Sequence, residues 1–222
     1  RWFGTCTDIH ERKMALEERE IVSQELSHRI KNIFSVVAGL IQFAARAHPE
    51  AAAVATDLRQ RITALGRAHD FVRPHSPASR PQAMQDSLFG LLGELFAPYQ
   101  NTPGERFRLH GTDVPVDDRA ATPLALLVHE LATNATKYGA LSVPEGMVEL
   151  TVTTGVDVVT IMWMETGGPP VTAPTGSGGF GTQLAELSAG RQLGGSITRD
   201  WRPEGLAATI VIPRASFSRA DG

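Results

Sequence analysis

Apolar residues at Leu26, Ile30, Ile33, Val37, Leu40 and Ala44 recur at spacings of 4, 3, 4, 3 and 4. On a strand these side chains would scatter over both faces, whereas on a helix they form one seam that needs a partner helix to cover it. His48 and Pro49 interrupt the seam, and Leu58, Ile62, Leu65 and Val72 then mark the apolar face of a second helix. The pattern predicts a helical hairpin. Of 21 glycines and 14 prolines, only Gly4, Gly39, Pro49 and Gly66 precede residue 73, so the two residue types that break helices are kept out of this stretch. RPHSPASRP at 73–81, with three prolines in nine residues, reads as a linker.

Beyond the linker, helix and strand signals alternate. Met84–Phe96 is an amphipathic helix, Phe107–Val116 an extended segment, and Thr122–Tyr138 a helix with Pro123 in its first turn. Val148–Thr154 and Val158–Glu165 are two β-rich runs joined through Gly155 and Asp157 as a hairpin. Gly181–Leu193 is a further helix, and Ser196–Trp201 with Ala207–Ile212 forms a closing strand pair. The expected fold is α+β: a helical hairpin followed by an α/β two-layer sandwich, with helices against one mostly antiparallel sheet.

Composition narrows the function classes. Lys and Arg total 21 against 24 Asp and Glu, a net charge of −3, which gives no electrostatic reason to expect a nucleic-acid partner. An apolar fraction of 42% with 20% charged residues fits a globular domain and excludes disorder along the whole chain. Cys6 has no second cysteine for a disulfide or a thiolate zinc site, and the expected compartment is reducing and cytoplasmic. The longest apolar run, Phe34–Ala45, is too short to span a bilayer, and the start at Arg1 reads as an excised piece of a longer protein.

Three groups of residues carry possible chemistry. His28, in SHRIKN, lies off the seam on the outer helix face, with Lys31 and Asn32 one turn on; taken alone it is a solvated surface histidine. His69 falls near the second helix's apolar face and reads as packed. Glu130, Asn134 and Lys137 recur at four and three residues and share one helical stripe. That stripe is either an exposed face with helpful ion pairing or a phosphate and metal site, since amide and carboxylate oxygens suit Mg²⁺ and an ammonium suits phosphate. The glycines 167, 168, 176, 178, 179 and 181 precede a helix, where backbone N–H groups can approach an anion, but they match neither GxxxxGKS nor GxGxxG.

Taken in order, HELATNATKYGAL, WMETGGPPV, GGFGTQL, GGSITRDW and PEGLAATIVIP, with SHRIKN upstream, resemble the HWE family of histidine kinases, two-component sensors with a Bergerat (GHKL-type) ATPase domain. The likeness spans roughly residues 14–213. RWFGTCTDIHERK resembles the last strand of a PAS sensor domain and its exit linker. The division implied is 1–13 for that exit, 14–73 for the phosphoacceptor hairpin and 82–214 for the ATP-binding domain.

The resemblance also implies roles. His28 is the phosphoacceptor, Glu130 polarises or orients the reacting groups, and Asn134 holds Mg²⁺. Lys137, with Tyr138 and Thr182 beside the site, contacts ATP; Glu165 accepts from the adenine amino group; Gly167, Gly179 and Gly181 shape the lid. His129 and Trp163 are the family-motif residues and read as structural, braced against each other. Arg29 follows the phosphoacceptor where many other histidine kinases place an acid, so it neutralises phosphate charge or leaves the proton acceptor elsewhere. The implied function is autophosphorylation from ATP and transfer to a response regulator aspartate. The implied partners are a receiver domain, an N-terminal sensor of the same chain and, through the hairpin, a second copy. The alternatives are a nucleotide-binding docking module and a GHKL-type ATPase or serine kinase; the histidine-bearing hairpin weighs against the last.

Overall fold

The computed structural model describes residues 10–72, 86–100, 106–173 and 179–218. Helix α1 (His10–Ala47) and helix α2 (Ala52–Phe71) form the hairpin, turning through Pro49–Ala51. Helix α3 (Leu88–Phe96), strand β1 (Phe107–Gly111), helix α4 (Asp118–Lys137) and the hairpin of β2 (Met147–Thr154) and β3 (Val158–Thr166) follow. Helix α5 (Phe180–Leu187) and strands β4 (Ser196–Arg202) and β5 (Gly205–Pro213) complete the chain. The expected linker 73–81 and the first nine residues lie outside the described part, while His10–Lys13, expected as a sensor exit, open α1.

The hairpin forms through a different stripe from the one the heptad spacing selects. Leu26, Ile33, Val37 and Leu40 of that seam are exposed, whereas Ile30, Phe34, Ala38, Ile41 and Ala45 are partly covered. The apolar side of α1 is wider than one seam, and α2 covers only its edge. On α2 the buried positions are Arg61, Ala64, Ala68 and Phe71, because that stripe meets α3 and α4 while Ile62, Leu65 and His69 turn toward α1. Phe34 meets the His69 ring edge-on at 6.2 Å, as expected for a packed histidine. Lys31 Nζ donates to Asp70 at 2.7 Å, which puts these two residues opposite each other on the two helices. By length and composition Glu25–Ala47 reaches what a membrane crossing requires, which the apolar run Phe34–Ala45 alone did not show.

The sheet has the order β1-β2-β3-β5-β4. Four of its strands pair antiparallel, and β1 runs parallel to β2. Alternation puts Val148, Leu150 and Val152 of β2, Val159, Ile161, Trp163 and Glu165 of β3, and Leu206, Ala208, Ile210 and Ile212 of β5 on one face. The α-helices of the second unit cover that face. Phe96 stacks on Phe107 at 4.2 Å between ring centres, and Trp163 meets both at 6.1 and 6.3 Å, a cluster that pins α3 to the sheet.

Helix starts differ from the sequence reading. Helix α4 begins at Asp118 because Asp117 accepts from the N–H groups of Arg119 and Ala120 at 3.0 and 3.2 Å, which leaves Pro123 inside the helix and not in its first turn. Helix α3 begins at Leu88, where Ser87 Oγ accepts from Gly90 N–H at 2.9 Å. In both cases a side-chain cap outweighs the apolar period. Strand β1 stops at Gly111, whose φ of 99° and close approach to the Val152 carbonyl exclude a side chain. Helix α5 ends at Leu187 and widens into a π turn over Ser188–Gln192. Replacing Asp117 by Ala should lower unfolding stability by about 0.5–2 kcal/mol without altering the fold, measured by urea denaturation.

Candidate functional site

Helix α4 has two sides with opposite needs. Leu124, Leu127, Val128, Leu131 and Ala135 are buried, while Glu130, Asn134 and Lys137 face a cleft of about 420 Å³. Across it stand Glu165 at the end of β3, Trp201 and Leu206 from β4 and β5, and Gly179, Phe180, Gly181 and Thr182 at the start of α5. Tyr138, 71% exposed, stands at the rim. The stripe is therefore a cleft wall and not a solvated face, and Glu130 within it is only 3% exposed. Gly181 permits this: a Cβ there would fall 2.0 Å from Glu130 Oε2.

Glu165 lines the cleft and is buried. Trp163 precedes it by two residues and so shares its face of β3; the indole Nε1–H donates to Glu165 Oε1 at 3.0 Å, and Ala140 N–H donates to Oε2 at 2.9 Å. Gly139 makes room, since a Cβ there would sit 2.0 Å from Oε2. Burial pushes the Glu165 carboxyl above its ordinary value, and the two N–H donors offset part of that rise. Each carboxylate oxygen keeps a further lone pair for a donor from a ligand.

His129 and Trp163 are braced, but by different neighbours. His129 Nδ1 shares a hydrogen bond with the Tyr99 hydroxyl at 2.9 Å, and the same hydroxyl reaches Thr133 Oγ1 at 3.3 Å. Burial, which outweighs the opposing charge of Glu130, depresses the His129 pKa. Trp163 works through Glu165. Gly167 lies behind the cleft, its φ of 73° placing it against the Glu145 carbonyl, and Gly176 and Gly178 fall outside the described residues.

Two cleft residues came from an element the sequence reading did not connect to it. Asp57 and Arg61 of α2 line the cleft, and Arg61 Nε donates to Glu130 Oε1 at 2.5 Å while Nη2 donates to Oε2 at 3.2 Å. Burial by itself depresses the guanidinium pKa; the hydrogen bond and charge of Glu130, with Asp57, outweigh it and raise the value. An arginine at a position where a hairpin should bury apolar groups was the available signal. His28 stays on the exposed outer side of α1 and does not line the cleft.

The family model for HWE histidine kinases matches residues 25–113, a span that includes His28 and most of the hairpin. That match makes the stretch similar to the HWE histidine kinases over less than half of the chain. Among curated proteins, blue-light-activated histidine kinase 1 of Erythrobacter litoralis is 36% identical over 209 residues, covering 93% of this chain and 57% of that protein. A blue-light-activated histidine kinase of Brucella anthropi is 31% identical over 214 residues, 95% of this chain and 42% of that one. The chain spans about half the length of these relatives. Among solved structures, the histidine kinase domain of an Erythrobacter litoralis blue-light activated histidine kinase matches with a TM-score of 0.57 at 17% identity, covering 92% of this chain and 98% of that domain; at that identity the likeness is one of fold. That likeness of fold extends past the segment that the family model matches.

The raised Glu165 pKa has a consequence for stability. A carboxyl whose folded value exceeds its ordinary 4.5 contributes stability that is fully present below that value and is lost as pH rises through the folded pKa. The stability difference between the parent and Glu165→Gln, from urea titrations at about pH 4 to 8, should fall with rising pH and then flatten. A difference independent of pH would show that the carboxyl titrates normally.

Proposed function

We propose that this chain is the kinase core of a two-component sensor, binding ATP in the α4 cleft, phosphorylating His28 and passing the phosphoryl group to an aspartate of a receiver domain on another chain. The observation that carries this reading is the juxtaposition of a carboxylate, an amide and an ammonium on one wall of the cleft with a buried acceptor, Glu165, opposite. The family match around His28 supports it.

In this reading Glu165 accepts from the adenine amino group, which favours ATP over GTP because guanine presents a carbonyl there. Lys137, with Tyr138 and Thr182 beside it, meets the phosphates, and Gly179 and Gly181 let the backbone at the start of α5 come close to the ligand. A ring nitrogen of His28 attacks the γ-phosphorus; the new N–P bond forms as the bond to the β–γ bridging oxygen breaks, ADP departs, the ring proton is lost to solvent or to a base beside His28, and Glu130 orients the reacting groups. The oxygen donors of Asn134 and Glu130, one turn apart, fit Mg²⁺ that arrives with the phosphates, which need only one or two protein oxygens to complete its shell, and the ion supplies charge neutralisation there. Among the described residues no group of three His, Cys, Asp or Glu side chains would hold a metal without that help.

The remaining elements are assigned in the same reading. Residues 1–13 leave an N-terminal sensor of PAS type, 14–73 form the phosphoacceptor hairpin, 82–214 bind ATP, and the protein works in the cytoplasm, free or tethered through a segment elsewhere. Leu26, Ile33, Val36, Leu40 and Phe43 make an exposed apolar strip on α1 of the kind that a second copy covers.

Incubation with labelled ATP and Mg²⁺ should place acid-labile, base-stable phosphate on the chain, and His28→Gln should abolish it with ATP affinity nearly unchanged. Label retained on the variant would remove His28 from the reaction, and phosphate stable to acid would favour a serine kinase. Asn134→Ala should lose the Mg²⁺-dependent part of ATP binding while its melting temperature stays near the parent's; equal affinity with and without Mg²⁺ in both proteins would remove the metal role.

A further inference from the structure

Asp57 and Arg61 belong to the hairpin, yet their charges are spent on the cleft. They are one turn apart and paired with each other, and each engages a different residue of the α4 stripe. Arg61 grips both oxygens of Glu130, and Asp57 Oδ1 accepts from Lys137 Nζ at 3.4 Å. The guanidinium also lies 4.9 Å from the centre of the Phe180 ring at the start of α5. Helix α2 thus offers α4 the complement of its own charges, a cation for the carboxylate and a carboxylate for the ammonium. A carboxylate on Lys137 takes the electrostatic place of a phosphate oxygen, so α2 and a triphosphate compete for one cation.

The hairpin register says where this leaves His28. Lys31 of α1 lies opposite Asp70 of α2, nine residues beyond Arg61, and His28 is three residues further along the same direction. At 1.5 Å per residue, His28 stands about 18 Å along the hairpin axis from the level at which Arg61 holds the cleft. Transfer needs the ring nitrogen within about 3–3.5 Å of the γ-phosphorus.

Resting on the kinase reading above, we infer that Asp57 and Arg61 are positioning residues that lock the nucleotide cleft onto the hairpin away from His28, and that the triphosphate of ATP helps to open the lock by competing with Asp57 for Lys137. Opening frees Glu130 and Lys137 together, because the two α2 charges are themselves paired.

The test uses the whole chain with Cys6→Ser and spin labels on cysteines introduced at Glu50, in the exposed hairpin turn, and Val156, 88% exposed in the β2–β3 turn. The parent should show one narrow distance that broadens or shifts with ATP and Mg²⁺. Asp57→Asn and Arg61→Gln should be broad without nucleotide, Asp57→Asn should bind ATP about 3- to 10-fold tighter, and both should label His28 faster than the parent. Arg61→Lys, which keeps the charge without the fork, should fall between parent and Arg61→Gln. Asp200→Asn, which breaks the exposed pair with Arg202, should change none of these. A distance that stays narrow in both variants, or weaker ATP binding by Asp57→Asn, or slower labelling by Arg61→Gln, would show that the α2 pair supports the site and does not restrain it. If the parent incorporates no label on His28 while the distances and affinities behave as stated, the lock stands and the kinase reading falls.

Discussion

Helix α4 has to be core on one side and cleft wall on the other, and the rest of the structure is arranged around that demand. Its leucines and alanines seal the sheet face and bring the aromatic cluster of Phe96, Phe107 and Trp163 under α3. The same helix then presents Glu130, Asn134 and Lys137 away from the sheet. Apolar burial of one side is what makes the polar side stiff, because the helix cannot roll to satisfy its charges elsewhere without exposing the leucines.

A buried carboxylate appears on each side of the cleft, and each is satisfied in a different way. Glu165 is held by neutral N–H donors from Trp163 and Ala140, so its charge is poorly compensated and its pKa rises. Glu130 is held by a guanidinium from another helix. One arrangement creates an acceptor inside the second unit; the other ties that unit to the hairpin. His129, though next to Glu130 in sequence, faces Tyr99 and supports α4 from outside the cleft.

Much of this was legible in the chain. The i, i+4, i+7 spacing of Glu130, Asn134 and Lys137 is a property of any α-helix, so their common stripe followed from helix geometry alone. The strand pairs were legible from alternation and their turns. What misled was the width of apolar surface: α1 is apolar over more than one seam, and period alone does not say which edge α2 will take. The helix starts shifted because Asp117 and Ser87, two short polar side chains, satisfy N–H groups that no apolar pattern reports.

The amino-acid sequence by itself determined the two units, most of the helices and strands within them, the polar stripe, and an outward His28. These rest on local geometry, in which residues a few positions apart meet wherever the backbone is regular. Only the tertiary structure decided that Glu130 is buried, that Arg61 reaches it across 69 residues of chain while Asp57 reaches Lys137, that β1 joins β2 in parallel, and that His28 lies away from the cleft. Those depend on how two amphipathic bodies dock, and docking is set by side-chain shape and charge over a whole surface, which no single stretch of sequence contains.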